Sequence, residues 1–179
     1  FRQMGAVYLT FLPLVERDYS KASGASDESV RPEIFGHFLS EIFDQWIEHD
    51  IGRIKVQIFE EALRSAFKQE HTLCIFKGVC GGVPVIEHNG DFYSCDHYVE
   101  NDHLVGNIKD ISLADMLESP RQKGFGMAKS DTLPRYCLDC KVLEMCNGEC
   151  PRNRFILTPD GEAGLNYLCS GYKFFFNHC

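Results

Sequence analysis

The chain has 179 residues, of which 44% are hydrophobic, 12% aromatic and 25% charged. That is an ordinary globular composition, and it excludes disordered, collagenous and membrane-embedded classes. Eighteen Lys and Arg against 26 Asp and Glu leave a net charge of −8, which repels phosphate backbones and anionic lipid and argues against nucleic acid or membrane as partner. There is no apolar run long enough to span a bilayer, and FRQMGAVYLTFLPLVER has neither the basic start nor the small-residue cleavage site of a signal peptide, so a cytoplasmic location is expected.

Residues 5–15, GAVYLTFLPLV, form an almost unbroken apolar run that predicts a strand buried on both faces. SKASGASDES (20–29) is a polar loop. Pro32 then opens a predicted helix to about His49, because Ile34, Phe35, Phe38, Leu39, Ile42, Phe43, Trp46 and Ile47 recur at three and four and make one broad apolar face. IKVQIF (54–59) predicts a second strand and EEALRSAF (60–67) a second short helix. Strand, helix, strand, helix implies a parallel sheet with right-handed crossovers. Two such units are too few for a closed barrel, so residues 1–70 are expected to be part of a larger α/β domain.

From Cys74 onward the texture changes to turns, short strands and cysteines. VPVIEH (83–88), Asn89-Gly90 and DFYSC (91–95) predict a β-hairpin with a two-residue turn. That hairpin delivers Cys95 and Asp96 together at the end of its second strand. Ser112 and Asp115 form a capping box for a helix to about Glu118, and Ser119-Pro120 caps and starts another. The expected fold class is α+β: partial α/β units over 1–70, then a cysteine-rich domain over 71–179 with a β-hairpin and short helices.

All nine cysteines lie at or after Cys74. Such a density suits a disulfide scaffold, but with no secretion signal metal ligation is the better account. Cys137-x2-Cys140-x5-Cys146-x3-Cys150 gathers four thiols, and Cys74, Cys80, Cys95 and Cys169 supply four more. Eight thiolates make two four-cysteine sites, for two tetrahedral zinc ions or two iron–sulfur clusters. His88, His97, His103 and His178 do not stand at zinc-finger spacing from a Cys-x2-Cys, and the gaps of five and three lean towards clusters, with a non-catalytic two-zinc interaction module as the alternative. Cys179 has no place in either site and reads as a spare thiol at the terminus.

These cysteine segments, together with the sequence CDHYV (95–99), the CPRNR that follows at 150–154 and the closing GLNYLCSGYKFFFNHC, resemble the SPASM domain of the anaerobic sulfatase-maturating enzymes, a branch of the radical SAM enzymes. FLPLVER and VQIFEEAL resemble two late strands of that family's partial barrel. The resemblance implies one auxiliary [4Fe–4S] cluster on Cys74, Cys80, Cys95 and Cys150 and a second on Cys137, Cys140, Cys146 and Cys169. It also implies S-adenosylmethionine and a third cluster held by a Cys-x3-Cys-x2-Cys motif. That motif is not in this sequence, so the chain reads as a C-terminal part that cannot generate a radical alone.

The activity implied is oxidation of a Cys or Ser of a sulfatase polypeptide to formylglycine, with an electron donor such as flavodoxin or ferredoxin. A 5′-deoxyadenosyl radical takes hydrogen from the substrate Cβ, and a base removes the side-chain proton. Asp96 is the family's match for that base, and an anionic cluster with apolar surroundings favours a carboxylate that takes up a proton; on the residues alone Asp96 reads first as a cap of the turn after the strand. Another SPASM peptide modifier, for example a thioether-forming one, would use the same cysteines. His97 reads as a surface or packing residue, Phe174, Phe175 and Phe176 as core packing, and Arg152 and Arg154 as solvated.

Overall fold

A computed structural model describes all 179 residues. Helix α1 runs Pro32–His49 as the periodicity predicts, with Pro32 at the first turn where its missing N–H costs nothing. Phe35, Leu39, Phe43 and Trp46 are its buried stripe. The Trp46 indole N–H donates to the Ile54 carbonyl at 2.6 Å, which ties the chain leaving the helix back onto it.

The strands before and after α1 are shorter than predicted. Only Tyr8–Leu9 (β1) and Lys55–Val56 (β2) are strand, paired in parallel as Tyr8 with Lys55 and Leu9 with Val56. Residues 5–15 are not buried on both faces: Leu9, Phe11 and Val15 pack on the core, while Tyr8, Leu12 and Leu14 are exposed, Leu12 by 85%. A two-stranded sheet has cover on one side only, so period-two alternation appears where an uninterrupted apolar run suggested none. The helix after β2, α2, spans Gln57–Ala66 and so takes in residues predicted as strand. Ile58, Phe59 and Ala62 form one buried helical face, and the helix begins early enough to bury all three.

In the cysteine-rich part, Val85–Ile86 (β3), Asp91–Tyr93 (β4) and Leu104–Asn107 (β5) form an antiparallel sheet in the order β3-β4-β5. The hairpin forms as expected, but its turn has three residues. Val85 pairs with Tyr93 and Ile86 with Phe92, the Glu87 N–H donates to the Asp91 carbonyl at 2.9 Å, and the Gly90 N–H donates to the Glu87 carbonyl at 2.8 Å. Gly90 alone adopts positive φ, at 96°, and Asn89 does not, so the loop is a turn closed by a left-handed glycine and not the two-residue form that needs positive φ at both positions. Ser112 caps α3 (Leu113–Leu117), its hydroxyl accepting from the Asp115 N–H at 3.1 Å. Ser119 caps α4 (Pro120–Asp131) through the Gln122 N–H at 3.1 Å. Short helices α5 (Arg135–Leu138) and α6 (Leu143–Cys146), the hairpin of β6 (Ile156–Leu157) and β7 (Ala163–Leu165), and helix α7 (Cys169–His178) complete the chain.

One core of 15 buried residues draws Phe35, Leu39, Phe43 and Trp46 from α1, Phe59 from α2 and Tyr172, Phe175 and Phe176 from α7. Phe43 meets Phe59 and Phe175 edge to face at 5.1 and 5.9 Å. Of the three terminal phenylalanines, Phe175 and Phe176 are core and Phe174 is 43% exposed. Helices α1 and α7 approach so closely that a Cβ at Gly171 would stand 2.1 Å from the Pro32 carbonyl oxygen, and one at Gly36 2.6 Å from that of Gly171. No helix is long and apolar enough to cross a membrane.

Candidate metal centres

Seven of the eight expected ligands stand at the ends of elements or in the links between them, and Cys137 lies within a short helix. Cys74 lies in a turn after α2, and the Cys80 N–H donates to the Gly126 carbonyl of α4 at 3.1 Å. Cys95 follows β4. Cys137 sits within α5, Cys140 just beyond it, Cys146 at the end of α6, and Cys169 opens α7. Cys150 precedes a single 3-10 turn, Pro151–Asn153. Between Cys146 and Cys150, Asn147, Gly148 and Glu149 all take left-handed backbone, with φ of 47°, 68° and 51°. This compact reversal separates two cysteines only four positions apart.

The thiols fall into two neighbourhoods. Burial pushes Cys80 up, and the charge of Cys74 adds to the shift. Burial likewise pushes Cys95 up to about 11 and Cys150 up to about 12; Cys80 adds to the first, and Cys80 and Cys95 to the second. In the other set burial raises Cys137, helped by Cys140. Cys146 reaches about 12 through burial, with Cys169 and Cys137 adding, and Cys169 reaches about 11 with Cys137 and Cys140 adding. Cys137, Cys140, Cys146 and Cys169 also line one apolar pocket with Val142 and Leu165.

Thiols held this high stay protonated near neutrality until a metal centre takes them as thiolates. No three His, Cys, Asp or Glu side chains converge tightly enough to hold a single ion, and an all-thiol donor set suits a soft centre such as an iron–sulfur cluster. All nine cysteines are free of disulfides, and Cys179 is exposed at the end of α7, apart from both sets.

Asp96 is exposed just past β4, and its Oδ1 accepts from the Cys95 thiol at 3.3 Å. The His97 ring Nδ1 stands 3.8 Å from Cys150 Sγ, and the His97 carbonyl accepts from the Arg152 guanidinium. His97 and Cys150 line a cleft with Thr10, Gln57, Glu149 and Tyr172. The stretch after β1, the start of α2 and the cysteine-rich part therefore meet at one concavity.

Sequence reasoning missed three residues here and misread a fourth. Glu61 is 1% exposed and gathers the Thr72 hydroxyl, the Thr72 and Leu73 N–H groups at 3.1 Å and His71 Nδ1 at 2.8 Å, which pins the segment entering Cys74. Glu149 is buried, its carboxyl pushed up by burial and held by Asn166 at 2.5 Å and Asn153 at 3.3 Å. Lys129 is 1% exposed and donates to the Cys74 and Ile75 carbonyls at 3.0 and 2.7 Å. Arg154 is not solvated as expected: its guanidinium is partly buried and donates to four backbone carbonyls. The available signal was in α4, where Gln122, Gly126 and Lys129 fall on one helical face.

A model of an iron–sulfur cluster-binding domain, SPASM, matches residues 74–141. The chain is 42% identical to a serine-type anaerobic sulfatase-maturating enzyme of Bacteroides thetaiotaomicron, across 99% of this chain and 46% of that protein. It is 33% identical to a serine-type enzyme of Klebsiella pneumoniae and 28% to a cysteine-type enzyme of Clostridium perfringens, covering 42% and 48% of those proteins. The solved structure of native anSMEcpe with bound AdoMet matches with a TM-score of 0.83 and 28% identity over 99% of this chain and 48% of that one; the form with bound AdoMet and Cp18Cys peptide matches equally well. The chain spans about half the length of the curated relatives it matches. Residues 74–141 thus match the SPASM iron–sulfur cluster-binding model, and the chain as a whole is similar to the C-terminal half of the anaerobic sulfatase-maturating enzymes.

Proposed function

We propose that this chain is the auxiliary-cluster part of a radical SAM enzyme that oxidises a Ser or Cys of a sulfatase to formylglycine. Residues 1–70 are read as the last strand-helix units of the partial barrel and 71–179 as the cluster domain. Cys74, Cys80, Cys95 and Cys150 are the ligands of one [4Fe–4S] cluster and Cys137, Cys140, Cys146 and Cys169 those of another, as the two thiol neighbourhoods suggest. A seryl substrate comes first, because the relatives at 42% and 33% identity are serine-type and the cysteine-type one stands at 28%. Flavodoxin or ferredoxin is the proposed electron partner.

The observation that carries this reading is the Asp96 carboxylate bonded to the Cys95 thiol within a chain-long match to sulfatase-maturating enzymes. Bound S-adenosylmethionine, with the cluster that cleaves it, supplies hydrogen abstraction. The part left to this chain is the side-chain proton. When Cys95 binds as thiolate its hydrogen is gone, so Asp96 Oδ1 loses its donor and is free to accept the proton of the substrate hydroxyl or thiol. Arg152, bonded to the His97 carbonyl, holds the backbone next to that carboxylate.

Anaerobic reconstitution should load about eight iron and eight sulfide, the content of two four-iron clusters. Stoichiometric zinc without iron uptake would instead favour the two-zinc interaction module. The chain alone, given S-adenosylmethionine, reductant and sulfatase peptide, should release no 5′-deoxyadenosine. In a polypeptide that joins this chain to the Cys-x3-Cys-x2-Cys segment, Asp96→Asn should keep parent iron content while formylglycine formation falls by about 10²–10⁴. Formylglycine at the parent rate would reduce Asp96 to a turn residue, and a thioether product would transfer the chain to another class of SPASM peptide modifier.

A further inference from the structure

Buried cations require counter-charges, because desolvating an ammonium or guanidinium is costly unless an anion stands near it. Lys129 and Arg154 have no carboxylate within ion-pair distance: Lys129 is 1% exposed, yet no Asp or Glu oxygen lies within 4.0 Å of either residue. Their partners are neutral backbone carbonyls. The one buried acid nearby, Glu149, is engaged by Asn166 and Asn153.

What these cations do touch is the backbone that carries the thiols. Lys129 Nζ bonds the carbonyl of Cys74 itself and that of Ile75. Arg154 bonds the carbonyls of Asn147, Gly148 and Glu149, at 2.9, 2.9 and 3.3 Å, which is the entire left-handed link between Cys146 and Cys150. Its fourth bond, at 2.6 Å, goes to the Lys129 carbonyl and joins the two cations into one assembly. One end of that assembly lies at Cys74, and the other between the two thiol sets. Burial works against the charge of both cations; Cys80, Glu149 and Cys150 favour the charged form of Lys129, and Cys137, Cys146, Cys80 and Glu149 that of Arg154.

We infer that Lys129 and Arg154 are the built-in counter-cations of the two thiolate-bound centres, Lys129 serving the Cys74/Cys80/Cys95/Cys150 centre and Arg154 standing between both. This rests on the cluster reading proposed above. Each cation offsets thiolate charge in a site with little water, and each makes addition of a further electron more favourable than it would be without it. They are positioning residues: they hold ligand-bearing backbone and set potentials, and they do not touch the reacting atoms.

The test compares neutral with charge-keeping variants at each position: Lys129→Met with Lys129→Arg, and Arg154→Gln with Arg154→Lys. Each is reconstituted anaerobically and read by iron and sulfide content and by a redox titration followed by electron paramagnetic resonance. Failure of the parent protein itself to take up iron and sulfide would sink the cluster reading, separately from this inference. With the parent loaded, Lys129→Met should lower the reduced-to-oxidised ratio of one cluster at fixed poise by about tenfold, equivalent to about 59 mV for a one-electron couple, while Lys129→Arg stays near the parent. Arg154→Gln should move the signals of both clusters and Arg154→Lys neither.

Loss of iron from the neutral variants alone would support the same assignment, since assembly would then need the charge. Unchanged potentials in loaded neutral variants would overturn it. So would iron loss in both members of a pair, which would make that residue a backbone clamp whatever its charge.

Discussion

Helices α1 and α7 cohere differently from the stretch between Cys74 and Asp131. The helices interlock rings from both ends of the chain, with Phe35, Phe43, Tyr172 and Phe175 all 5% exposed or less. The stretch from residue 77 to 131 buries only Phe92, Tyr93 and Met116 as large apolar side chains, and its order comes from polar ties: Gln122 to the Gly81 and Ser94 carbonyls, Lys129 to those of Cys74 and Ile75. Apolar burial places Cys169 at the head of α7. Polar ties bring Cys74, Cys80 and Cys95 to α4, a region poor in apolar core that the proposed metal centre would complete.

The sharpest way to break that contrast is to remove a ligand. Cys150→Ala should cut reconstituted iron to about half, and hydrogen exchange should quicken over residues 80–131 while α1 and α7 stay protected. Equal loss of protection in α1 would show that the metal and the apolar core form one cooperative unit.

Next in size is the contact between the helices. Gly171→Ala places a methyl group 2.1 Å from a backbone oxygen that has no rotamer to yield, so a loss of about 3 kcal/mol is expected, at the upper end of overpacking costs. Thermal unfolding measures it. Iron bound through the Cys137 set should fall before that of the Cys74 set, because Cys169 moves with α7; the reverse order would count against the contrast.

Glu61, on α2, pins the segment that enters Cys74 and gives the pH dependence. Burial opposes its charge, but the bonds from Thr72, His71 and Leu73 outweigh that and hold its carboxyl below the usual glutamate value. A depressed folded value means that this stabilisation is present above the unfolded pKa of about 4.3 and is lost as the pH falls through the lower, folded one. Glu61→Gln should cost about 2–3 kcal/mol at neutral pH. In acid the difference from the parent should shrink, and a constant difference down to the lowest pH would refute the assigned charge. The smallest effect is at a cap: Ser119→Ala should cost about 1 kcal/mol by denaturant unfolding, confined to α4 and the Gln122 and Lys129 ties it carries.

Helix α1 was legible because Pro32 and the spacing of Phe35, Leu39, Phe43 and Trp46 are local signals, and it ends at His49, close to where the periodicity fades. The Ser112 and Ser119 caps were legible for the same reason. Cysteine spacing together with the CDHYV and GLNYLC segments pointed to an iron–sulfur domain, because ligand chemistry is carried by residue type and interval. The extent of β1 and β2 was not legible, since an apolar run does not state how many faces its neighbours cover. Nor was the three-residue turn at His88-Asn89-Gly90, because Asn-Gly permits the tighter form and the pairing of Glu87 with Asp91 selects the other.

Residue identity and local periodicity thus specified the long helix and the caps, and singled out the eight cysteines proposed as ligands. Tertiary packing alone decided that Lys129 and Arg154 turn inward and that Cys146 and Cys150 part company across three left-handed residues. The reason lies in distance along the chain: a helix or a cap is stabilised by groups within one turn of itself, whereas Lys129 meets Cys74 and Arg154 meets Lys129 across separations of 55 and 25 residues. No local pattern records a partner that far away.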